Sequence, residues 1–228
     1  MTQTGLKRID RDTLHERVYE EIRRAIMSGR FPPGMVVTLR TMAAAVGTSE
    51  MPVRDAVRRL VVERALVNLP NRSVIVPVLD ERTFREICEI RIQLETLAAS
   101  RAAERIDARE IAILRSTLRE LAAAKDQASY LELNQQLHFR IYRAADRPML
   151  LSMIESVWLQ TGPLLNTVEL LAGDSIASGH HEAVVDALAR RNSASAAAAI
   201  EADITDAAEF IFAWMRRNQA TAESRRVG

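Results

Sequence analysis

Two short amphipathic segments joined by a tight glycine turn constrain the fold of this chain more than any other feature. In the first segment, Thr38 can cap a helix whose apolar residues end at Gly47. In the second, Thr48 or Ser49 can cap a helix whose buried face is marked by Val53, Ala56, Val57 and Leu60. A helix, a tight turn and a second helix are the spacing of the helix-turn-helix, which presents the start of its second helix outward.

The neighbouring residues add a further helix and a wing to this motif. Apolar residues at every fourth position predict a first helix that ends at Gly29. Residues 35–37 form a short β-branched run that favours a strand, and residues 66–78 have the pattern of two strands joined by a turn at 70–73. The sequence therefore predicts a winged helix-turn-helix domain over residues 10–78.

From Asp80 onward the pattern changes to long helical stretches separated by short breaks, and no segment favours a strand. Helix-favouring Ala, Leu, Glu and Arg dominate, and the whole chain has only 8 Gly and 7 Pro. We expect a mainly α fold in which residues 79–217 form an all-α antiparallel helical bundle, followed by a polar tail over 218–228. One predicted helix begins at residue 107. The other predicted helices cover about 80–104, 128–145, 148–171, 175–190 and 193–215.

The basic residues are concentrated at one end of the chain. Residues 1–78 carry 13 Lys and Arg against 8 Asp and Glu, whereas residues 79–228 carry 18 against 22. This asymmetry indicates that the N-terminal part faces a polyanion and that the remainder has a different task. No apolar run long enough for a membrane span or a secretion signal occurs, so we expect a cytoplasmic protein without a membrane partner. The single cysteine, Cys88, lies in an apolar stripe and is interpreted as a core residue.

Several arginines belong to the elements that a helix-turn-helix brings to one surface, as phosphate neutralisation requires. They are Arg40, Arg54, Arg58, Arg59 and Arg72. Arg54 lies near the start of the second helix of the motif, where it can reach a guanine edge, and Ser49 with the first backbone amides can hold a phosphate. At least one of Arg58 and Arg59 is expected to be solvated or paired with Asp55 or Glu63. An ordinary charged face stays the alternative for any single arginine.

The first part of the chain closely resembles a known family of DNA-binding domains. Residues 18–34, VYEEIRRAIMSGRFPPG, and residues 52–60, PVRDAVRRL, are similar to the winged-helix head of GntR-family transcription regulators. The resemblance covers residues 14–78. It implies a homodimer whose two heads contact a pseudo-palindromic operator in double-stranded DNA, because two-fold symmetry in the protein is matched by two-fold symmetry in the site.

The resemblance also assigns DNA contacts to individual residues. It implies that Arg40 and Arg54 touch DNA and that the wing tip, with Asn71 and Arg72, enters the minor groove. Glu50 departs from the family pattern, which usually has arginine at this position. Its carboxylate could accept a hydrogen bond from cytosine N4 or could repel phosphate, so the operator sequence of relatives does not transfer.

Four polar side chains in the second part could converge inside the bundle. Asn134 and His138 lie four residues apart on one predicted helix and so share a face, while His181 and Asp203 lie on the two last helices. Imidazole and oxygen donors suit zinc, nickel, manganese or a related divalent ion. From spacing alone, core or surface histidines without a metal are the more common outcome.

Residues 80–215 resemble the FCD domain, the ligand-binding domain that accompanies many GntR heads. The recognisable pieces are EIR at 89–91 with LE at 94–95, NQQLH at 134–138 with AA at 144–145, and HEAVVDAL at 181–188. Many such domains bind a metal through Asp or Asn and three histidines, with a small carboxylate completing the shell. In this chain Asn134, His138 and His181 match that set, and Asp203 stands where the last histidine is expected.

Arg91 matches an arginine that often faces the effector in FCD domains. A buried cation needs an anion, and a carboxylate-type effector would supply one. An internal salt bridge with Glu95 or another acid of the bundle is the alternative.

Together these features predict a ligand-responsive DNA-binding transcription regulator rather than an enzyme, namely a repressor of a metabolic operon released by a small carboxylate-type effector. The alternative is a metal-dependent enzyme domain fused to a DNA-targeting head. The sequence lacks a phosphate loop, a His-Glu-x-x-His motif and an arrangement of Ser, His and Asp, which disfavours that alternative. Effector, metal, operator and regulated genes are left open.

Overall fold

A computed structural model of the chain describes residues 14–70, 72–165 and 176–227. The N-terminal part, which we call the head, consists of α1 (Leu14–Met27), β1 (Val36–Thr38), α2 (Leu39–Val46), α3 (Glu50–Val62), β2 (Val67–Leu69) and β3 (Ser73–Ile75). The three strands form an antiparallel sheet in the order β1-β3-β2, in which Val74 of β3 is paired with Val37 on one side and Asn68 on the other. The predicted winged helix-turn-helix is confirmed.

The turn between α2 and α3 forms where the sequence predicts it. Thr38 caps α2, since its Oγ1 accepts a hydrogen bond from the Thr41 backbone N–H at 3.1 Å. Gly47 ends α2 with φ of 69°, a left-handed conformation that glycine adopts without a β-carbon penalty. The chain is extended at Ser49, the N-cap of α3, and α3 begins three residues after Gly47.

The C-terminal part is an all-helical bundle, as predicted. It consists of α4 (Glu81–Arg105), α5 (Ala108–Ala122), α6 (Gln127–Ala144), α7 (Pro148–Leu165), α8 (Ile176–Ala189) and α9 (Ser193–Val227). The predicted end of the last helix at Met215 is wrong, because α9 continues to Val227 through a segment rich in the helix formers Ala, Gln, Glu and Arg. The predicted helix 148–171 is described only to Leu165, and the domain limits at 78 and 217 stay predictions.

Carboxylates start three of the bundle helices. Asp80, Asp107 and Asp126 each accept a hydrogen bond from the backbone N–H three residues later, at 2.7, 2.8 and 2.8 Å. A carboxylate there also faces the positive end of the helix dipole. Asp80 and Asp107 were predicted from the sequence to begin helices.

Long α4 packs along α9 and also contacts α6, α7 and α8, so it forms the centre of the bundle. Its small buried residues Ala98, Ala99, Ala102 and Ala103 allow the neighbouring helices to approach closely. Cys88 lies in a second apolar cluster with Phe84 and Phe212, and burial raises the pKa of its thiol to about 11. The interpretation of Cys88 as a core residue is confirmed. Among the described helices, none has a stretch both long and apolar enough to cross a membrane.

The head is attached to the bundle through α1, which packs on α7. Gly162 of α7 lies against the backbone of Met27, and a β-carbon at position 162 would be 2.7 Å from the Met27 Cα. The next residue, Pro163, lies inside the helix, and a glycine before proline avoids the clash between the proline ring and a preceding β-carbon. Gly162 therefore serves both the helix and the contact between the two parts.

Ion pairs flank this contact. Arg23 on α1 lies 3.1 Å from Glu155 on α7, with exposed fractions of 13% and 24% for the two side chains. The carboxylate of Glu132 on α6 lies 2.5 Å from a guanidinium nitrogen of Arg30 and 3.9 Å from one of Arg24. We call these five residues the ionic seam. Four of them, all except Arg30, line a cleft of about 490 Å³ between α1, α6 and α7.

Candidate functional site

Arginines from α3 and from the wing meet around one groove on the head. The groove has a volume of about 210 Å³ and is lined by Arg54, Arg58 and Arg72 together with Leu39, Val57, Asn68, Leu69, Ser73 and Val74. We call it the basic groove. It brings together three of the arginines that the sequence predicted to share a surface, and it joins the start of the motif's second helix to the tip of the wing.

The remaining predicted contacts lie near the ends of the same elements. Arg40 is exposed in the first turn of α2, and Ser49 is exposed at the N-cap of α3, where its side chain makes no capping hydrogen bond. Arg72 has φ of 58°, and its carbonyl oxygen accepts a hydrogen bond from the Leu39 N–H at 3.3 Å, which ties the wing tip to the start of α2. Asn71 lies outside the described residues.

Two of the arginines on α3 are paired with acids on the same helix. Glu50 lies 3.7 Å from Arg54, one turn away, with both side chains more than a third exposed. Arg58 lies 3.7 Å from Asp55, the partner that the sequence suggested. Exposed pairs at this distance contribute about 0.3–0.5 kcal/mol, so both arginines can exchange their partner for a phosphate.

Arg59 has a structural role that sequence reasoning missed. Its guanidinium lies 2.6 Å from Glu16 and stacks 3.4 Å from the centroid of the Tyr19 ring. Glu63, the other suggested partner, instead accepts a hydrogen bond of 2.6 Å from the Tyr19 hydroxyl. Burial and this hydrogen bond raise the pKa of Tyr19 to about 12. Arg59 thus joins α3 to α1.

Three of the four predicted donors in the bundle are in mutual contact. His138 Nε2 lies 3.2 Å from His181 Nε2 and 3.3 Å from Asp203 Oδ2, and His181 Nε2 lies 3.2 Å from Asp203 Oδ1. The side chains come from α6, α8 and α9 and are almost completely buried. Asn134 is also buried, one turn before His138 on the same face of α6.

The chemistry of this buried cluster fits a divalent cation. Burial lowers the pKa of His138 to about 4. Burial by itself would raise the pKa of Asp203. The neighbouring His181, through its electrostatic effect and its hydrogen bond, lowers the pKa by more, so that the net value is about 2. At neutral pH the cluster therefore directs a carboxylate and a neutral imidazole toward one point. Donor separations of 3.2–3.3 Å match the edge of a tetrahedron, which is about 3.4 Å for a metal–ligand distance of about 2.1 Å.

Comparison with known families separates the chain into the same two parts. The family described as bacterial regulatory proteins, gntR family, matches residues 14–76, and the FCD domain matches residues 86–206. The chain belongs to the GntR family of transcription regulators and carries an FCD domain. The basic groove lies in its GntR head, and the His138, His181 and Asp203 cluster lies in its FCD domain.

Individual relatives agree with this assignment. The HTH-type transcriptional regulator McbR of Escherichia coli K12 is 30% identical over 165 residues, which cover 71% of this chain and 75% of McbR. A protein of Paenarthrobacter nicotinovorans named "Probable D-xylose utilization operon transcriptional repressor" is 30% identical over 188 residues, covering 80% and 81%. The solved structure of E. coli McbR/YncC superposes with a TM-score of 0.81 at 25% identity, covering 89% of this chain and 98% of that one.

Within the FCD domain, Arg91 is found in the arrangement that the sequence offered as the alternative to an effector contact. Its Nε donates to Glu95 Oε1 at 2.7 Å, and both side chains are buried. The guanidinium also lies 4.9 Å from the centroid of the Trp158 ring, which in turn is 5.3 Å from the His138 ring. Arg91 thus lies close to the cluster with its charge matched by Glu95, and a contact with an effector stays a prediction.

Some buried polar atoms near the cluster have no hydrogen-bond partner among the described residues. They include Tyr130 Oη, Trp158 Nε1 and His181 Nδ1. Burying a polar group without a hydrogen-bond partner costs free energy.

Proposed function

We propose that this regulator is a repressor of a metabolic operon and that it releases DNA when a small carboxylate-type effector enters its FCD domain. It acts in the cytoplasm as a homodimer, with two GntR heads on a pseudo-palindromic operator of double-stranded DNA. The observation that carries the proposal is the basic groove, where Arg54 and Arg58 of α3 face Arg72 of the wing. The relative from Paenarthrobacter, named as a repressor of a D-xylose operon, supports the metabolic role.

The geometry of the head supports a set of proposed DNA contacts. Arg54, in the second turn of α3, reaches a base edge, and Arg58 contacts a phosphate from the next turn. Arg40 and Ser49 hold phosphates beside the starts of α2 and α3. Arg72, together with Asn71, enters the minor groove from the wing tip, while Glu50 sets the base preference next to Arg54.

A divalent metal held by His138, His181 and Asp203, with Asn134 as a further ligand, is the proposed centre of the effector site. Two imidazoles and oxygen donors suit zinc, nickel or manganese. When bound, the metal would supply a positive charge that the carboxylate of an effector neutralises. Arg91, whose guanidinium lies beside Trp158, is the proposed second cationic contact for that effector.

One helix connects the proposed effector site with the head. Trp158 of α7 contacts the His138 ring, and Gly162, one turn later on α7, contacts Met27 of α1. An effector shifts a regulator only when it binds one arrangement of the two parts more tightly than the other. A displacement of α7 by the effector would change the position of the head, and this is the route that we propose.

Fluorescence anisotropy with a labelled duplex from the chain's own promoter region tests the DNA-binding part. We expect salt-sensitive binding that Arg54→Ala weakens by about 10- to 100-fold, as for loss of a contact to a base edge. Arg101→Ala is the matched control, because Arg101 is an exposed arginine on α4 that pairs only with neighbouring Glu104 in the described contacts. Absence of salt-sensitive binding to any duplex would refute the proposed function.

Metal analysis of the purified protein by mass spectrometry tests the effector site. We expect about one divalent ion per chain in the wild type and a loss of that ion in His138→Ala. His180→Ala is the control, since His180 precedes His181 but pairs with Asp206 at 2.7 Å outside the cluster. Equally low metal content in the wild type and His138→Ala would remove the metal from the proposal.

A further inference from the structure

A continuous series of buried contacts leads from Arg91 to the cluster. Arg91 donates to both oxygens of Glu95, at 2.7 and 3.4 Å, and the Tyr142 hydroxyl donates to Glu95 Oε2 at 2.5 Å. The same hydroxyl lies 2.9 Å from His138 Nδ1. The four residues are at most 7% exposed, so water does not compete for these hydrogen bonds.

The number of protons in this series determines which ring nitrogen of His138 carries hydrogen. A carboxylate beside a guanidinium can only accept, so the single hydroxyl proton of Tyr142 goes to Glu95. The Tyr142 oxygen then has only lone pairs to offer to His138. Its neighbour Nδ1 must therefore be the donor in their contact, and in a neutral imidazole this leaves Nε2 with a lone pair.

We propose that Tyr142, held in place by Glu95 and Arg91, is a positioning residue that fixes His138 in the Nδ1–H form and directs the Nε2 lone pair to the metal. The inference rests on the proposed metal site and assigns the buried Arg91–Glu95 pair a task within it. Partners on the second nitrogen of a ligating histidine fix its tautomer and orientation and raise its basicity.

The two histidines of the cluster differ in this respect. His181 Nδ1 is buried and has no hydrogen-bond partner among the described residues, so no contact at that nitrogen holds His181 in the Nδ1–H form, and its Nε2 instead faces the accepting Asp203 Oδ1 at 3.2 Å. His138 is thus the preorganised ligand, and Tyr142 is the residue whose loss should affect metal binding most selectively. Tyr130 provides a matched control, because it lies on the same helix, is equally buried, and its hydroxyl has no hydrogen-bond partner among the described residues.

Two measurements on the full-length protein test the proposal. Long-range ¹H–¹⁵N spectra of metal-free protein with labelled histidine should show His138 as the Nδ1–H form in the wild type and in Tyr130→Phe, and as a mixture in Tyr142→Phe. Zinc titration against a chromophoric chelator should show a dissociation constant about 10- to 100-fold weaker for Tyr142→Phe than for the wild type, with little change for Tyr130→Phe.

An Nε2–H form of His138 in the wild type would overturn the proposal even if Tyr142→Phe did not fold. Equal zinc affinity in the two phenylalanine variants would also overturn it. A wild type that does not bind zinc, nickel or manganese would refute the proposed metal site and the metal-directing role of Tyr142, and the spectra would then decide only whether Tyr142 fixes the tautomer.

Discussion

Gly162 of α7 lies so close to Met27 of α1 that a β-carbon at position 162 would be 2.4 Å from the Met27 carbonyl oxygen. The neighbour is backbone rather than a flexible side chain, so it cannot rotate away. The joint between the GntR head and the FCD domain therefore depends on the absence of a single methyl group.

Replacement of that glycine should loosen the joint. We expect Gly162→Ala to lower the free energy of unfolding by about 1–3 kcal/mol, the usual cost of an overpacked interior, as measured by urea denaturation. Gly179→Ala is the control, because no atom of the described residues lies within 4 Å of a β-carbon at this position on α8, and alanine favours helix by up to about 1 kcal/mol. Equal effects of the two variants would contradict the close packing at Gly162.

The ionic seam should contribute more to stability than an exposed ion pair. Glu155→Gln removes the partner of a largely buried Arg23, and we expect a loss of about 1–3 kcal/mol in the free energy of unfolding. Glu104→Gln, which breaks an exposed pair with Arg101 on α4, should cost less than about 1 kcal/mol. Thermal and urea unfolding of both variants measure the difference. A smaller loss for Glu155→Gln than for Glu104→Gln would argue against the seam.

Glu50 should restrain binding to DNA. Glu50→Gln removes a negative charge from the edge of the basic groove and frees Arg54 from a partner at 3.7 Å. We expect tighter binding to non-specific duplex DNA in anisotropy titrations, by roughly 3- to 10-fold at low salt.

A control for this effect is Glu86→Gln, which removes the same charge from an exposed position on α4 in the FCD domain. Its affinity for duplex DNA should stay close to that of the wild type. Unchanged or weaker non-specific binding of Glu50→Gln would contradict repulsion between the Glu50 carboxylate and phosphate.

The metal-free protein should lose stability as the pH falls below 6.5. Burial holds the pKa of His138 at about 4 in the folded chain, against 6.5 for the ordinary side chain. Between these values the unfolded chain binds a proton that the folded chain does not, so the free energy of unfolding falls by up to about 1.4 kcal/mol per pH unit. The stabilising contribution of Asp203 is present above about pH 3.8 and is lost as the pH falls through about 2.

Urea unfolding between pH 7 and pH 4 in the presence of a chelator measures this slope. His138→Gln should flatten the curve in that range, whereas His180→Gln should leave most of it unchanged because His180 lies outside the cluster. An unchanged slope in His138→Gln would assign the pH dependence to other groups.

Local patterns predicted most of the fold. Thr38, Asp80 and Asp107 cap helices at the positions expected from their own side chains, and Gly47 ends α2 as a glycine in a left-handed conformation. Such features depend on residues three or four positions apart, which the sequence displays directly. The end of α9 was misplaced because helix formers continue past Met215 without a break.

Long-range choices of partner were harder to predict. The suggested pairing with Asp55 is made by Arg58, whereas Arg59 pairs with Glu16 on α1, because the way α1 crosses α3 determines which acid is in reach. Arg91 had two candidate anions, and only the structure places Glu95 against it. The convergence of His138, His181 and Asp203 was implied by the resemblance to FCD domains rather than by spacing, and the hydroxyl of Tyr142 behind His138 was not predicted.

The ionic seam has a consequence for how DNA binding is quantified. The decline of affinity with salt on a double-logarithmic plot is commonly converted into a number of phosphates through counterion release. Salt also screens the contacts of Glu132 with Arg24 and Arg30, which are partly exposed and attach the head to the bundle. A rearrangement of the head that breaks these contacts on DNA binding would add ions taken up by the ionic seam to those displaced from the duplex, and a phosphate count taken from the slope alone would then be biased.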